Sequence, residues 1–220
     1  MERKIMVTAD GSTTIHIPEW DEQYHSKYGA IQEAKHVFIK NGLSLFSDQD
    51  ISILEIGFGT GLNCFITFLE APKKNLNIDY VGVEAYPVVS EEVEKMNYAN
   101  QLNAIEFSAI FNQIHQQEWE VKSDISPNFS LLKRKQFFND INDENKFNLI
   151  YFDAFGARVQ PELWTEEIFE KMYKALKTGG VLVTYSAKGS VRRAMLTVGF
   201  LVEKIPGPPG KREMLRATKA

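Results

Sequence analysis

At 220 residues the chain suits one α/β domain with additions, long enough to bury a substantial core. Apolar and charged fractions of 44% and 25% are ordinary for a globular protein, no apolar run approaches a membrane span, and the N-terminus carries no signal-peptide pattern. The net charge of −4 argues against coating nucleic acid by bulk electrostatics, and the single cysteine, Cys64, permits no internal disulfide and fits a reducing cytoplasm.

Residues 3–17 alternate around Asp10-Gly11, which predicts two strands meeting at a tight turn. Residues 20–29 have no period but hold Trp20, Tyr24, His25 and Tyr28, more aromatic character than a disordered linker carries. A helix is expected over 30–40, with Ile31, Ala34, Val37 and Phe38 on one face and Asn41-Gly42 at its end. Residues 51–56 read as a buried strand and 62–70 as a helix. Then follow a strand over 78–85, a crossover helix over 91–102, a helix over 104–120, a strand over 129–135 and a polar loop over 140–146. An apolar strand over 147–153 stops on Asp153. A helix over 166–177 is expected to end at Gly179-Gly180, before a strand over 181–185 and a helix over 190–198. Strands over 200–205 and 214–218 close the chain. Strands alternating with helices imply a parallel sheet, and the last pair has no helix between, so its final strand must run antiparallel. That is the Rossmann-like shape of the S-adenosylmethionine-dependent methyltransferases.

The first central strand breaks at Gly57-Phe58-Gly59-Thr60-Gly61-Leu62-Asn63. Its glycines are spaced two apart, unlike the dinucleotide fingerprint, and no phosphate-binding lysine follows. The next strand ends on Glu84, where a carboxylate would accept both hydroxyls of a ribose. This combination favours a nucleoside cofactor, with S-adenosylmethionine the first candidate. The candidate cofactor-binding residues are Glu55, Gly57, Phe58, Gly59, Thr60, Gly61, Asn63, Glu84 and Asp153. After Asp153 runs a loop carrying Phe155, Arg158 and Trp164, the kind of segment where substrate contacts lie. Basic residues cluster at 133–135, at Lys188, Arg192 and Arg193, and at Lys211, Arg212 and Arg216. His16, His25, His36 and His115 share no metal-ligand spacing, and no metal is expected.

Residues 152–156 with 160–164 resemble the substrate loop of the tRNA 5-methylaminomethyl-2-thiouridine methyltransferases. Residues 57–63 match that family's cofactor loop, 21–38 its entry segment, and 185–200 with 210–214 its closing motifs. The likeness implies a class I methyltransferase domain over 46–220, with residues 1–45 an extension of hairpin, entry loop and helix packed on it, effectively one domain. It implies methyl transfer from S-adenosylmethionine to the amine of 5-aminomethyl-2-thiouridine at the wobble position of tRNA. It also implies a cytoplasmic enzyme without membrane contact or a flavin domain in this chain. Asp153 would hold the amine and accept its proton, with Phe155 and Trp164 beside it and Tyr24 stacking on the base. Arg158, Lys188, Arg192, Arg193, Lys211 and Arg212 would meet the anticodon-arm phosphates. The family's acidic residue after the third strand is replaced, with Gln136 in its place and Asp140 and Asp143 further on. The alternatives are a methyl- or aminopropyltransferase of this fold acting on a small amine or a protein, and a non-catalytic binding module.

Overall fold

A computed structural model describes residues 2–220. Strands β1 (Lys4–Val7) and β2 (Thr13–Ile17) pair antiparallel through the Asp10-Gly11 turn, and β3 (Glu22–Gln23) adds to β2 to make a small sheet. The turn also starts a helix. Asp10 Oδ2 accepts the Gln32 amide at 3.0 Å, capping α1 (Ala30–Ala34), whose own N-cap residue is Gly29. A π-helical stretch, Lys35–Lys40, extends α1, and the two bury Ile31, Ala34, Val37 and Phe38 as the pattern predicts.

Next come β4 (Gln49–Ile56), α2 (Leu62–Glu70) and β5 (Leu76–Val83), with β4 and β5 parallel throughout. The crossover expected as one helix over 91–102 is two short ones, α3 (Ser90–Val93) and α4 (Tyr98–Gln101). Asn97 lies at the break. Its side chain accepts the Thr13 amide and donates to the Gly11 carbonyl, both at 2.9 Å, fastening the N-terminal hairpin to the body. After α5 (Ser108–Gln116), β6 (Ser123–Ser126) pairs antiparallel with β7 (Phe129–Arg134). The sequence pattern does not announce β6, because an edge strand with only Ile125 buried has no apolar alternation to show. The chain ends with β8 (Phe147–Phe152), α6 (Glu166–Ala175), β9 (Leu176–Thr184), α7 (Gly189–Thr197), β10 (Phe200–Pro206) and β11 (Glu213–Lys219). The helix expected over 166–177 stops at Ala175, because Leu176 is already extended and pairs with Phe147. Gly179-Gly180 instead lies in a bulge within β9.

The main sheet has the order β10-β11-β9-β8-β4-β5-β7-β6, and β11 runs antiparallel to both of its neighbours. β5 and β8 flank β4, so the connections depart from β4 in opposite directions and leave a crevice over its carboxyl end. Phe65, Tyr80, Phe129 and Tyr151 belong to one apolar layer of the sheet; Phe152, Phe169, Met172, Met195 and Phe200 belong to the other.

The basic cluster at 133–135 is not a cationic face. Lys133 shares the buried side of β7 with Phe129 and Leu131, donates to the His115 carbonyl at 2.7 Å and lies over the Trp119 ring. Arg134 forks onto Asp143 at 2.6 and 3.1 Å.

Gly82 of β5 is covered by the buried Phe58 ring, which a Cβ at that position would overlap. Phe58 meets His115 and Trp119 edge-on, with ring centres 6.1 and 6.2 Å apart. Gly82→Ala should therefore cost about 1–3 kcal/mol, the usual penalty of over-packing, measurable by urea unfolding. An unchanged midpoint would show that Phe58 moves aside freely.

Candidate active site

A cavity of about 1060 Å³ opens over the carboxyl ends of β4, β5, β8 and β9, and residues from 20–28 contribute to its wall. Gly57, at φ 86°, lies so close to β8 that a Cβ would come 2.6 Å from the Asp153 carbonyl oxygen. The Asp153 amide in turn donates to Ile56 O at 2.9 Å. Gly59, at φ 49°, faces the Tyr24 ring. Both positions need glycine, since the backbone is left-handed and the space is taken.

Glu84 lines the cavity beside this turn. Its Oε2 accepts the Gly59 amide at 3.1 Å and Oε1 the Tyr86 amide at 2.9 Å. Phe137, Phe138 and Asn139 also line the cavity. None of these three is among the residues expected from the sequence, although two adjacent phenylalanines just past a strand end are a visible signal. Neither acidic candidate there lines the cavity: Asp140 is exposed, and Asp143 is engaged by Arg134 and Lys146. A carboxylate with free lone pairs, a turn that presents only glycines to the cavity and an aromatic wall fit S-adenosyl-L-methionine. Glu84 would take the ribose hydroxyls, Gly57 and Gly59 would allow close approach, and Phe137 and Phe138 would border the adenine.

The other residues of the glycine motif do not line the cavity; they build its base. Phe58 packs on Gly82, Thr60 Oγ1 accepts from the Tyr98 hydroxyl at 2.9 Å, and a Cβ on Gly61 would meet the His115 ring. Glu55 is fully buried and accepts from Tyr80 at 2.8 Å and from Asn63 Nδ2 at 2.9 Å. Its carboxyl is raised well above the usual range, chiefly by burial. The same Asn63 nitrogen donates to Asp153 Oδ2 at 2.9 Å. Trp164 is also structural. It is buried against Phe152, and its Nε1 donates to the Phe155 carbonyl at 2.7 Å, bracing the loop from behind.

Asp153 lines the cavity, and its proton affinity is pushed up to about 7. Burial is the main cause and the Glu33 carboxylate the second; the Asn63 hydrogen bond and the Lys211 cation oppose them. Phe155 meets Tyr24 and Trp20 edge-on at 4.9 and 5.4 Å, and all three line the cavity. His25 is kept neutral, its pKa lowered by burial to about 4.

The basic residues divide. Arg158 does not line the cavity; it clamps the entry segment, donating to Glu22 at 2.9 Å and to the Trp20 and Asp21 carbonyls. Lys211 turns inward: Nζ is 2.8 Å from Glu33 and 3.8 Å from the Tyr185 ring centre, so it is not free for phosphate. Arg192 is half-buried, with no partner for Nε. Lys188, Arg193 and Arg212 remain exposed, and Lys188 and Arg212 line a shallow groove with Tyr185 and Lys211. Among the described residues no group of His, Cys, Asp and Glu could hold a metal, and no helix is long and apolar enough to cross a membrane.

Known proteins are similar to this chain in sequence and in shape. The bifunctional protein MnmC of tRNA 5-methylaminomethyl-2-thiouridine biosynthesis from Leptospira interrogans is 29% identical over 231 residues, covering 96% of this chain and 34% of that protein. Its counterpart from Leptospira borgpetersenii is 30% identical over 217 residues, covering 89% and 32%. The chain thus spans about a third of the length of these curated relatives. The crystal structure of MNMC2 from Aquifex aeolicus superposes with a TM-score of 0.74 at 25% identity, over 99% of this chain and 70% of that one. Residues 90–220 match a family described as S-adenosyl-L-methionine-dependent methyltransferase, and the chain belongs to that family.

Proposed function

We propose that this chain methylates the aminomethyl nitrogen of 5-aminomethyl-2-thiouridine at the wobble position of tRNA. The observation that carries the reading is Asp153, a carboxyl of raised proton affinity beside an aromatic wall, in the same cavity as Gly57, Gly59 and Glu84. The names of the relatives point to the same modified nucleoside. S-adenosyl-L-methionine, when bound, supplies an electrophilic methyl group on a sulfonium.

The chain's task is to present a neutral amine to that methyl. A free alkyl ammonium and a free aspartic acid differ by about 6.5 pKa units, so proton transfer between them is uphill by roughly 9 kcal/mol. With Asp153 raised to about 7, the gap narrows to roughly 3.5 units, about 5 kcal/mol. Asp153 therefore both orients the amine and is a competent acceptor for its proton. Phe155, Tyr24 and Trp20 offer faces and edges for a wobble base splayed out of the anticodon loop. Of the cations expected to meet phosphates, Lys188, Arg193 and Arg212 are the exposed ones.

Transfer of labelled methyl to tRNA bearing the unmethylated amine, read by nucleoside mass spectrometry, tests the reading directly. Incorporation on that nucleoside supports it; none, with cofactor binding intact, refutes it. Asp153→Asn should lower kcat by roughly 10²-fold or more. Relative to the wild type, the same variant should gain stability as pH rises. The folded protein holds the Asp153 proton up to about pH 7, whereas the unfolded chain releases it near pH 4, so the wild type loses stability across that window and the variant does not. A Tm advantage of the variant that grows from pH 5 to pH 8 is expected, and it separates loss of chemistry from loss of fold. Replacing Lys188, Arg193 and Arg212 together by alanine should lower the slope of log affinity for tRNA against log salt by about two to three. An unchanged slope would place the phosphate contacts elsewhere.

A further inference from the structure

Glu84 follows β5, and none of the five residues after it, 85–89, is fully buried; Tyr86 and Val89 are 64% and 52% exposed. Apolar packing is too thin to set the path of this segment, so its backbone hydrogen bonds must do so. Two side chains supply them. Glu92 Oε2 accepts the Val89 amide at 3.2 Å, at the start of α3. Arg3, just before β1, reaches in from the N-terminal extension. Its Nη2 donates to the Tyr86 carbonyl at 2.9 Å, and its Nη1 to the Pro87 carbonyl at 3.4 Å and to Glu92 at 3.1 Å. The segment in turn meets Glu84: the Tyr86 amide donates to Oε1 at 2.9 Å, while the Gly59 amide donates to Oε2 at 3.1 Å. Arg3, Glu84, Tyr86 and Glu92 all line the one cavity.

We propose that Arg3 is a positioning residue for the cofactor: by gripping the Tyr86 and Pro87 carbonyls it holds the Tyr86 amide on Glu84, and so aims that carboxylate at the ribose hydroxyls. The inference rests on the reading that Glu84 takes those hydroxyls. The two amides engage one lone pair on each carboxylate oxygen, and their directions fix how the remaining lone pairs face the cavity. One amide is held by the glycine turn itself; the other is held only as well as its segment is. Without the guanidinium the two carbonyls are free to turn to water, and Oε1 loses the donor that fixes the rotation of the carboxyl. The fork is needed because three acceptors are met at once, which a lysine ammonium on its flexible stem does not reproduce. The charge of Arg3 is matched by Glu92, so Arg3 acts on a ligand through the segment it holds and not as a free cation.

The test is calorimetric binding of S-adenosyl-L-homocysteine, and of its analogue lacking both ribose hydroxyls, to the wild type, Arg3→Met and Arg3→Lys, with displacement titration for the weaker ligand. Arg3→Met should weaken S-adenosyl-L-homocysteine about five- to tenfold, the contribution of one hydrogen bond, and Arg3→Lys nearly as much. Toward the analogue without hydroxyls the three proteins should agree within about twofold, because Glu84 then has nothing to be aimed at. An Arg3→Met variant weakened equally toward both ligands has lost only structure and overturns the proposal, as does one weakened toward neither. If Arg3→Met fails to fold, Arg3→Lys decides by the same comparison. A wild type that binds neither ligand, or both equally well, refutes the ribose role of Glu84 and the proposal with it. A wild type that prefers the ligand with hydroxyls, beside an Arg3→Met variant whose preference is undiminished, refutes only the role of Arg3.

Discussion

One amide nitrogen, Asn63 Nδ2, donates to two carboxyl groups: Glu55 within the sheet and Asp153 at its edge. The glycine turn, the end of β8 and the cavity floor depend on this contact. Two acidic groups so near one another, with little water, cannot both be ionised without a large cost unless donors are interposed. Asn63 and the Tyr80 hydroxyl are those donors for Glu55. Asp153 receives only Asn63 from within the protein fabric and is otherwise turned to the cavity. The difference separates a structural acid from one available to a ligand.

Around that floor the molecule divides its aromatic residues between support and contact. Trp164 and Phe58 carry their rings into the core and hold backbone from behind, one gripping the Phe155 carbonyl and the other covering Gly82. Phe155, Tyr24 and Trp20 form the exposed wall. Acidic residues are divided similarly. Glu22, Glu33 and Glu92 are paired with Arg158, Lys211 and Arg3, which leaves Asp153, Glu84 and the exposed Glu162 with acceptor capacity toward the cavity. A cavity lined by many carboxyl groups thus presents few of them to a ligand.

Much of the architecture was legible because its causes are local. Apolar runs marked β4, β5 and β8, and the missing helix between β10 and β11 required an antiparallel strand. The features that escaped have non-local causes. The break between α3 and α4 follows from Asn97 binding the N-terminal hairpin, and the early end of α6 from Leu176 pairing with β8. Lys133 could have been placed inside, since it shares period-two phase with Phe129 and Leu131. Its basic neighbours drew attention to charge instead. Within the site, the spacing of the glycine motif identified the turn but not which motif residues face outward. Gly57 and Gly59 border the cavity, while Thr60, Gly61 and Asn63 face the protein. Lys211 and Arg158 look like phosphate ligands in the sequence because their carboxylate partners lie far away in the chain.

The clamps over the cavity join segments far apart in the sequence: Glu33 and Lys211 are 178 residues apart, and Glu22 and Arg158 are 136 apart. Contacts of such long range form after local structure, because closing a large loop costs entropy before any contact repays it. A chain emerging from the ribosome would already hold the glycine turn, Glu84 and Asp153 in a partial sheet while the entry segment still lacked its fastening. The Glu33 side of the cavity is therefore fastened only when the turn before β11 docks.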